Sequence, residues 1–288
     1  MFANLLWGSA FPSIKTGYRL FEIASEDSAS QILFAGTRFT LAGVLTILIF
    51  SVLNHRFIKL EKAAFPSVIK LSLFQTVFHY IFFYIALAHI AGVKASIISA
   101  SSGFFAIIFS AVLLKSETNI ARKLLWCVPG FLGVMLVNLT DALTFDFSLQ
   151  GEGFILFSTV CGGIATMLIK KYGRTYDPVM MCGYQFFFGG LMMCAAGLLL
   201  GGSLHASVPY AWLLILYLAF VSSAAYSVWS LLLKYHPVSK VSVYAFSNPV
   251  FGTILSALIL HEALSVPFSR VLISLALVCI GIYQVNKA

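Results

Sequence analysis

The sequence predicts an all-α membrane protein: ten transmembrane helices in two inverted five-helix repeats. Three observations predict it. Apolar runs of membrane-spanning length recur along the chain, basic residues gather in alternate loops, and the second half echoes the first. The 288 residues are 60% hydrophobic and only 10% charged, whereas a soluble domain carries about 25% charged residues. A helix of about 20 apolar residues crosses a bilayer. Ten such runs can be read, at 1–21, 31–53, 65–88, 93–115, 119–139, 150–170, 178–200, 208–233, 238–261 and 266–286. Run length and the lack of strict alternation favour helices over barrel strands. The first run shows no basic leader and no clear cleavage site, so it reads as a retained span.

The net charge of +8 is a topology signal rather than a nucleic-acid footprint. Twelve basic residues fall in alternate loops and the tail: Arg56, Lys59, Lys62, Lys115, Arg122, Lys123, Lys170, Lys171, Arg174, Lys234, Lys240 and Lys287. Only Arg19, Lys94 and Arg270 fall on the other side. The positive-inside rule then places both termini in the cytoplasm of a cell membrane, of bacterial inner or plasma membrane type. Acids show the opposite bias: Glu22, Glu26, Asp27, Asp141, Asp146, Glu152 and Glu262 are expected outside. The cysteines (Cys127, Cys161, Cys182, Cys194 and Cys279) lie inside spans without C-x-x-C spacing. They read as small packing residues rather than metal or redox groups.

The repeat is carried by several matches in order. GTRFTLAG (36–43) lies over GYQFFFGG (183–190), pairing Gly36, Phe39 and Gly43 with Gly183, Phe186 and Gly190, and Arg38 with Gln185. WGSAFPSIK (7–15) lies over GGIATMLIK (162–170). Residues 84–117 lie over 229–262 without a gap, bringing Glu117 to Glu262, and GVMLVN (133–138) lies over GIYQVN (281–286). The halves are therefore 1–139 and 150–288. Five spans is an odd number, so the second half enters the membrane upside down. Inverted repeats mark secondary transporters, whose substrate site lies near the midplane between halves.

This arrangement resembles the drug/metabolite transporter superfamily, EamA-type branch. The early W-G-S-x-F-x-x-I-K, the T-R-F of the second span and a Glu closing the fourth span of each half carry the resemblance, which covers essentially the whole chain. The second half has the family's Pro in SNPV (247–250), where the first half reads SSGF (101–104). The resemblance implies export or exchange of small metabolites, commonly amino acids and sometimes drugs, with sugar phosphates and nucleotide sugars among superfamily relatives. It also implies a central cavity formed with spans 3, 4, 8 and 9.

Arg38 stands out as a guanidinium about 10 Å into its span, with no Asp or Glu in mid-span anywhere. Two counter-groups suggest themselves. One is the Gly8 carbonyl that Pro12 leaves without its helical donor, which would make Arg38 a pin between spans 1 and 2. The other is a substrate carboxylate or phosphate. Lys15 reads either as a snorkelling residue or as a source of anion attraction. His79 is the deepest titratable residue, either bonded to a neighbouring carbonyl or hydroxyl or lining the cavity. Tyr80, Ser102, Tyr226, Trp229, Tyr244 and Asn248 are candidate cavity residues on the spans the resemblance singles out, with helix packing or lipid contact as the alternative for each. Pro12 and Pro249 are candidate kinks or gating positions.

An intramembrane enzyme would need a nucleophile–base pair, and only His79 with SASSGF could be imagined as one. The repeat already explains that segment as a span, so the chain reads as no enzyme, with no catalytic residue, metal or cofactor. A carrier of cationic drugs would want a membrane-embedded carboxylate, and none is present. The reading is thus a transporter of an amino acid or related carboxylate. The alternatives are multidrug or cationic-compound efflux and sugar-phosphate or nucleotide-sugar transport. Its partners are a small-molecule substrate and the lipid bilayer, not nucleic acid, with monomer and homodimer both open.

Overall fold

The computed structural model describes residues 1–87, 89, 98–115, 117–138, 147–260 and 267–288, and every regular element among them is helical. The helices follow the apolar runs, and their ends follow local chemistry. Helix α1 spans Phe2–Leu20 and continues through Pro12. Helix α2, Ser28–Leu53, starts earlier than its apolar run, because the Asp27 carboxylate accepts the Ser30 N–H at 2.9 Å. Such a side-chain cap satisfies a donor that the first turn leaves unpaired. Helix α3 (Phe65–Ser72) passes through a π turn at Leu73–Phe78 into α4 (His79–Leu87). Then come α5 (Ser102–Leu114) and α6 (Ile120–Asn138).

In the second half, a π turn at Leu149–Gly153 leads into α7 (Phe154–Tyr172). Asp177 caps α8 (Pro178–Leu199) by accepting the Val179 and Met180 N–H groups at 2.9 and 2.8 Å. Helix α9 is Ala211–Tyr235. The next run is broken: α10 (Val238–Ser242), a 3₁₀ turn at Val243–Phe246, then α11 (Ser247–Leu260). Helix α12 is Phe268–Lys287. Six of these helical runs among the described residues are long and apolar enough to cross a membrane. Asp141, Asp146 and Glu262, expected on the outer side, lie outside the described residues.

The quoted repeat stretches pack on each other. A Cβ added at Gly36 would sit 2.6 Å from the Cys194 amide nitrogen and 3.0 Å from the Gly190 carbonyl oxygen. One added at Gly43 would run into the Phe187 amide nitrogen and, at 2.7 Å, the Gly183 oxygen. One at Gly190 would meet the Thr40 amide nitrogen. Helices α2 and α8 therefore cross antiparallel, backbone on backbone, as small residues permit. The contacts map onto one another when the repeat partners are exchanged: Gly36 with Gly190 becomes Gly183 with Gly43.

A second pair behaves the same way. Gly8 of α1 meets Phe251 Cβ of α11 at 2.7 Å, and Gly163 of α7 meets Phe105 Cβ of α5 at 2.6 Å, each measured from an added Cβ. These contacts put Phe105 in the role of Phe251, one residue away from the gap-free register, which pairs Phe251 with Ala106. Helices α6 and α12 close together where Ser274 Oγ donates to the Gly133 carbonyl at 2.7 Å.

Both chain ends lie on one face. Asn4 Nδ2 donates to the Tyr244 carbonyl at 2.8 Å and Asn119 Nδ2 to the Ala288 carbonyl at 3.3 Å. On that face the halves are bridged by buried Glu117. It accepts the Ser239 N–H and Oγ–H at 3.1 and 2.7 Å and the Lys123 ammonium at 3.0 Å.

Candidate functional site

Arg38 lies ten residues into α2, about 15 Å along the axis, and is only 3% exposed. Its Nε and Nη2 donate to a single acceptor, Ser222 Oγ of α9, at 3.1 and 2.8 Å. The Gly8 carbonyl is therefore not its partner, and the link runs from α2 to α9 rather than from α2 to α1. The physical reason is the seating of α9, whose Ser222 is buried directly against α2. No carboxylate among the described residues answers Arg38.

Around the guanidinium is a shell of rings. Its carbon lies 5.0 Å from the Phe39 centroid, and Phe39 stacks on Phe186 at 5.2 Å and leans on Tyr80 at 4.5 Å. Tyr18, Tyr80, Tyr84 and Tyr226 pack into the same cluster as Phe39 and Phe186. Tyr80 and Tyr226 share a hydrogen bond of 3.0 Å between their hydroxyls. Tyr18 faces the hydroxyl of Tyr84 and Gln75 that of Tyr226, neither making a bond of full hydrogen-bond geometry among the described residues.

Gln185, the repeat mate of Arg38, makes the corresponding cross-half contact. Its Oε1 accepts the Thr76 hydroxyl at 2.8 Å and its carbonyl accepts Ser72 Oγ–H at 2.9 Å. Thr76 belongs to the π turn. A π turn inserts an extra residue and re-aims the side chains that follow. Beyond it, His79 turns to α7 and Tyr80 to α9.

The other expected residues are brought together only in part. His79 Nδ1 lies 2.9 Å from the Ser158 carbonyl, and Ser158 Oγ donates back to the His79 carbonyl at 2.7 Å. Its ring covers Gly162, where an added Cβ would also come within 4.0 Å of Ser102 Cβ. Trp229 and Tyr244 instead line a crevice of about 450 Å³ on the face that carries the termini, with Asn4, His236, Lys240 and Asn286. Trp7 stands between the two regions, 4.8 Å from Tyr226 and 5.1 Å from Trp229 by ring centroids. Asn248 opens α11 with its Oδ1 buried and unpartnered. Lys15 lies on an exposed face of α1. The irregular backbone falls at the π turn and at Val243–Phe246, not at Pro12, and it just precedes Pro249. Sequence reasoning passed over Ser222, Tyr18, Tyr84 and Asn4. The i, i+4 spacing of Tyr80 and Tyr84, which puts both on one helix face, is a signal that could have found one of them.

Long apolar helices crossing at glycines around a buried polar centre define a polytopic membrane protein. The chain belongs to the EamA-like transporter family, whose model matches residues 1–139 and again 149–287. It is 25% identical to an "Uncharacterized transporter" of Archaeoglobus fulgidus, over 98% of this chain and 95% of that one. It is 24% identical to "Uncharacterized transporter YvbV" of Bacillus subtilis, over 99% and 89%. A solved crystal structure superposes with a TM-score of 0.80 at 17% identity, covering 99% of this chain and 94% of the other, which is a likeness of fold alone.

Proposed function

We propose that this chain is a secondary transporter, not an enzyme, moving a small carboxylate-bearing metabolite across the cytoplasmic membrane. Amino acids fit best. The two halves act as inverted five-helix repeats, 1–139 and 150–288, alternating access by rocking against each other. The exchange-symmetric contacts of α2 with α8, and of Gly8 and Gly163, support that reading.

One observation carries the substrate class. Arg38 is buried among hydroxyls and rings, and among the described residues its Nη1 has no hydrogen-bond partner and no carboxylate answers it. A guanidinium fork binds a carboxylate through two parallel hydrogen bonds. A bare cation would meet like charge in the same place, which disfavours cationic efflux. A phosphate would also satisfy the fork, so sugar phosphates are the competing class. The site set is Arg38, Tyr80 and Tyr226 at the centre, with Ser102, Trp229, Tyr244 and Asn248 along the path, while His79 is tied to Ser158 and serves packing.

The test is uptake into proteoliposomes of amino acids, their amides and sugar phosphates, with and without a pH gradient. Amino-acid transport that fails for the amides supports the proposal. Transport of cations alone, or equal rates for acids and amides, rejects it.

A further inference from the structure

We propose a second ligand site, distinct from the Arg38 centre, in the crevice between α1, α9, α10 and α12, binding zwitterions with an apolar side chain. It rests on the transporter reading above for the choice of ligand. The crevice holds about 450 Å³ and is walled by Trp229, Leu232 and Val241. That size is ordinary for a small-molecule site.

Two unmet polar atoms flank this wall. Asn4 is 1% exposed. Its Nδ2 is committed to the Tyr244 carbonyl at 2.8 Å, which fixes the orientation of the amide. Its Oδ1 is buried with no partner. Buried acceptors in native proteins are hydrogen-bonded, so this oxygen calls for a donor such as an ammonium group. Trp7 lies one turn further along the same face of α1, and its Nε1 is also buried without a partner. Lys240 supplies a positive charge from α10 and makes no ion pair among the described residues.

The wall that carries Lys240 is fixed in place. Glu117 holds the first turn of α10 through Ser239 and is itself neutralised by Lys123. Lys170 ties the turn before α10, donating to the carbonyls of His236 and Lys234 at 2.8 and 3.3 Å. An acceptor for the ammonium, a cation for the carboxylate and an indole wall for the side chain are together the chemistry of an amino acid. The Tyr226–Trp7–Trp229 rings separate this crevice from Arg38, so a ligand would pause here on one side of that partition.

The full-length chain in nanodiscs is titrated with radiolabelled L-leucine, and competed with leucinamide and N-acetyl-leucine. Three variants are compared: Lys240→Gln, Leu232→Trp and Arg38→Gln. Leu232 is 39% exposed, so the larger ring fills the crevice without entering the core. Leucine should still bind the Arg38→Gln protein. In the Arg38→Gln background, Lys240→Gln should weaken binding about three- to fivefold and Leu232→Trp should abolish it, whereas with Arg38 intact the binding that remains is that of the Arg38 centre. Both derivatives should compete less well than leucine. The proposal is overturned if leucine does not bind the wild type, if a folded Arg38→Gln protein binds none, or if both crevice variants leave binding unchanged in the Arg38→Gln background. Failure of the carboxylate reading of Arg38 shows separately, as an unaltered acid-over-amide preference in transport by Arg38→Gln.

Discussion

At the scale of the residue, Arg38 is hydrogen-bonded but has no counter-charge among the described residues. An arginine at mid-membrane costs about 2.5–3.5 kcal/mol on insertion scales, and a single neutral hydroxyl offsets part of that. Ser222→Ala removes the hydroxyl that takes both bonds and should lower stability by about 1–3 kcal/mol. A carboxylate substrate should then protect the variant against heat more than it protects the wild type, because it supplies the missing acceptor. Arg38→Lys keeps the charge and loses the planar fork. It should weaken substrate affinity while thermal unfolding stays near the wild-type value, and loss of stability with unchanged affinity would make Arg38 a structural pin. His79 is placed differently. Its bond to the Ser158 carbonyl predicts that His79→Ala loses heat stability while the surviving protein still transports, and the reverse outcome would return it to the cavity. The sequence revealed that Arg38 lacked an acid. It could not reveal Ser222, because a partner 184 positions away depends on how α9 sits, and no periodicity encodes that.

At the scale of the element, glycine decides which helices touch. Gly43→Ala would drive a methyl group into the backbone of Phe187 and Gly183. Backbone cannot swing aside, so a cost of about 1–3 kcal/mol is expected. Gly103→Ala is the control: its nearest neighbour would be the Ser242 oxygen at 3.6 Å, an ordinary contact. Thermal melts of the purified variants should separate the two clearly, and equal melting would remove glycine packing as the reason for the α2–α8 crossing. The apolar runs and the matched glycines were legible because hydropathy and small-residue spacing are written locally. The π turn at Leu73–Phe78 and the 3₁₀ turn at Val243–Phe246 were not. Neither contains a Gly or Pro to mark it, and tertiary bonds accompany each: Ser72 and Thr76 donate to Gln185 at the first, and Asn4 donates to the Tyr244 carbonyl at the second. For that reason Tyr80 and Tyr226 were grouped with Trp229 and Tyr244, which the structure places beyond Trp7. The register of Phe105 with Phe251 also needed the packing at Gly163 and Gly8 to fix it.

At the scale of the whole molecule, orientation is the open quantity that charge predicts. With the native cysteines removed, Asp146→Cys should react with an impermeant thiol reagent on intact cells and Thr118→Cys should not. The opposite pattern would defeat the inverted arrangement. The α2–α8 seam has a consequence for ancestry. Each side offers the other the same surface: a glycine where its partner needs room, and backbone where its partner has a glycine. In an oligomer that would be an isologous interface, the self-complementary kind through which identical subunits pair about a two-fold axis. A half-length ancestor could have paired through this surface with a second copy inserted the other way up, before fusion joined the copies. Residues 1–139 and 150–288, expressed as separate chains in one cell, should accordingly co-purify and transport, and a Gly43→Leu change in the first fragment should abolish the pairing.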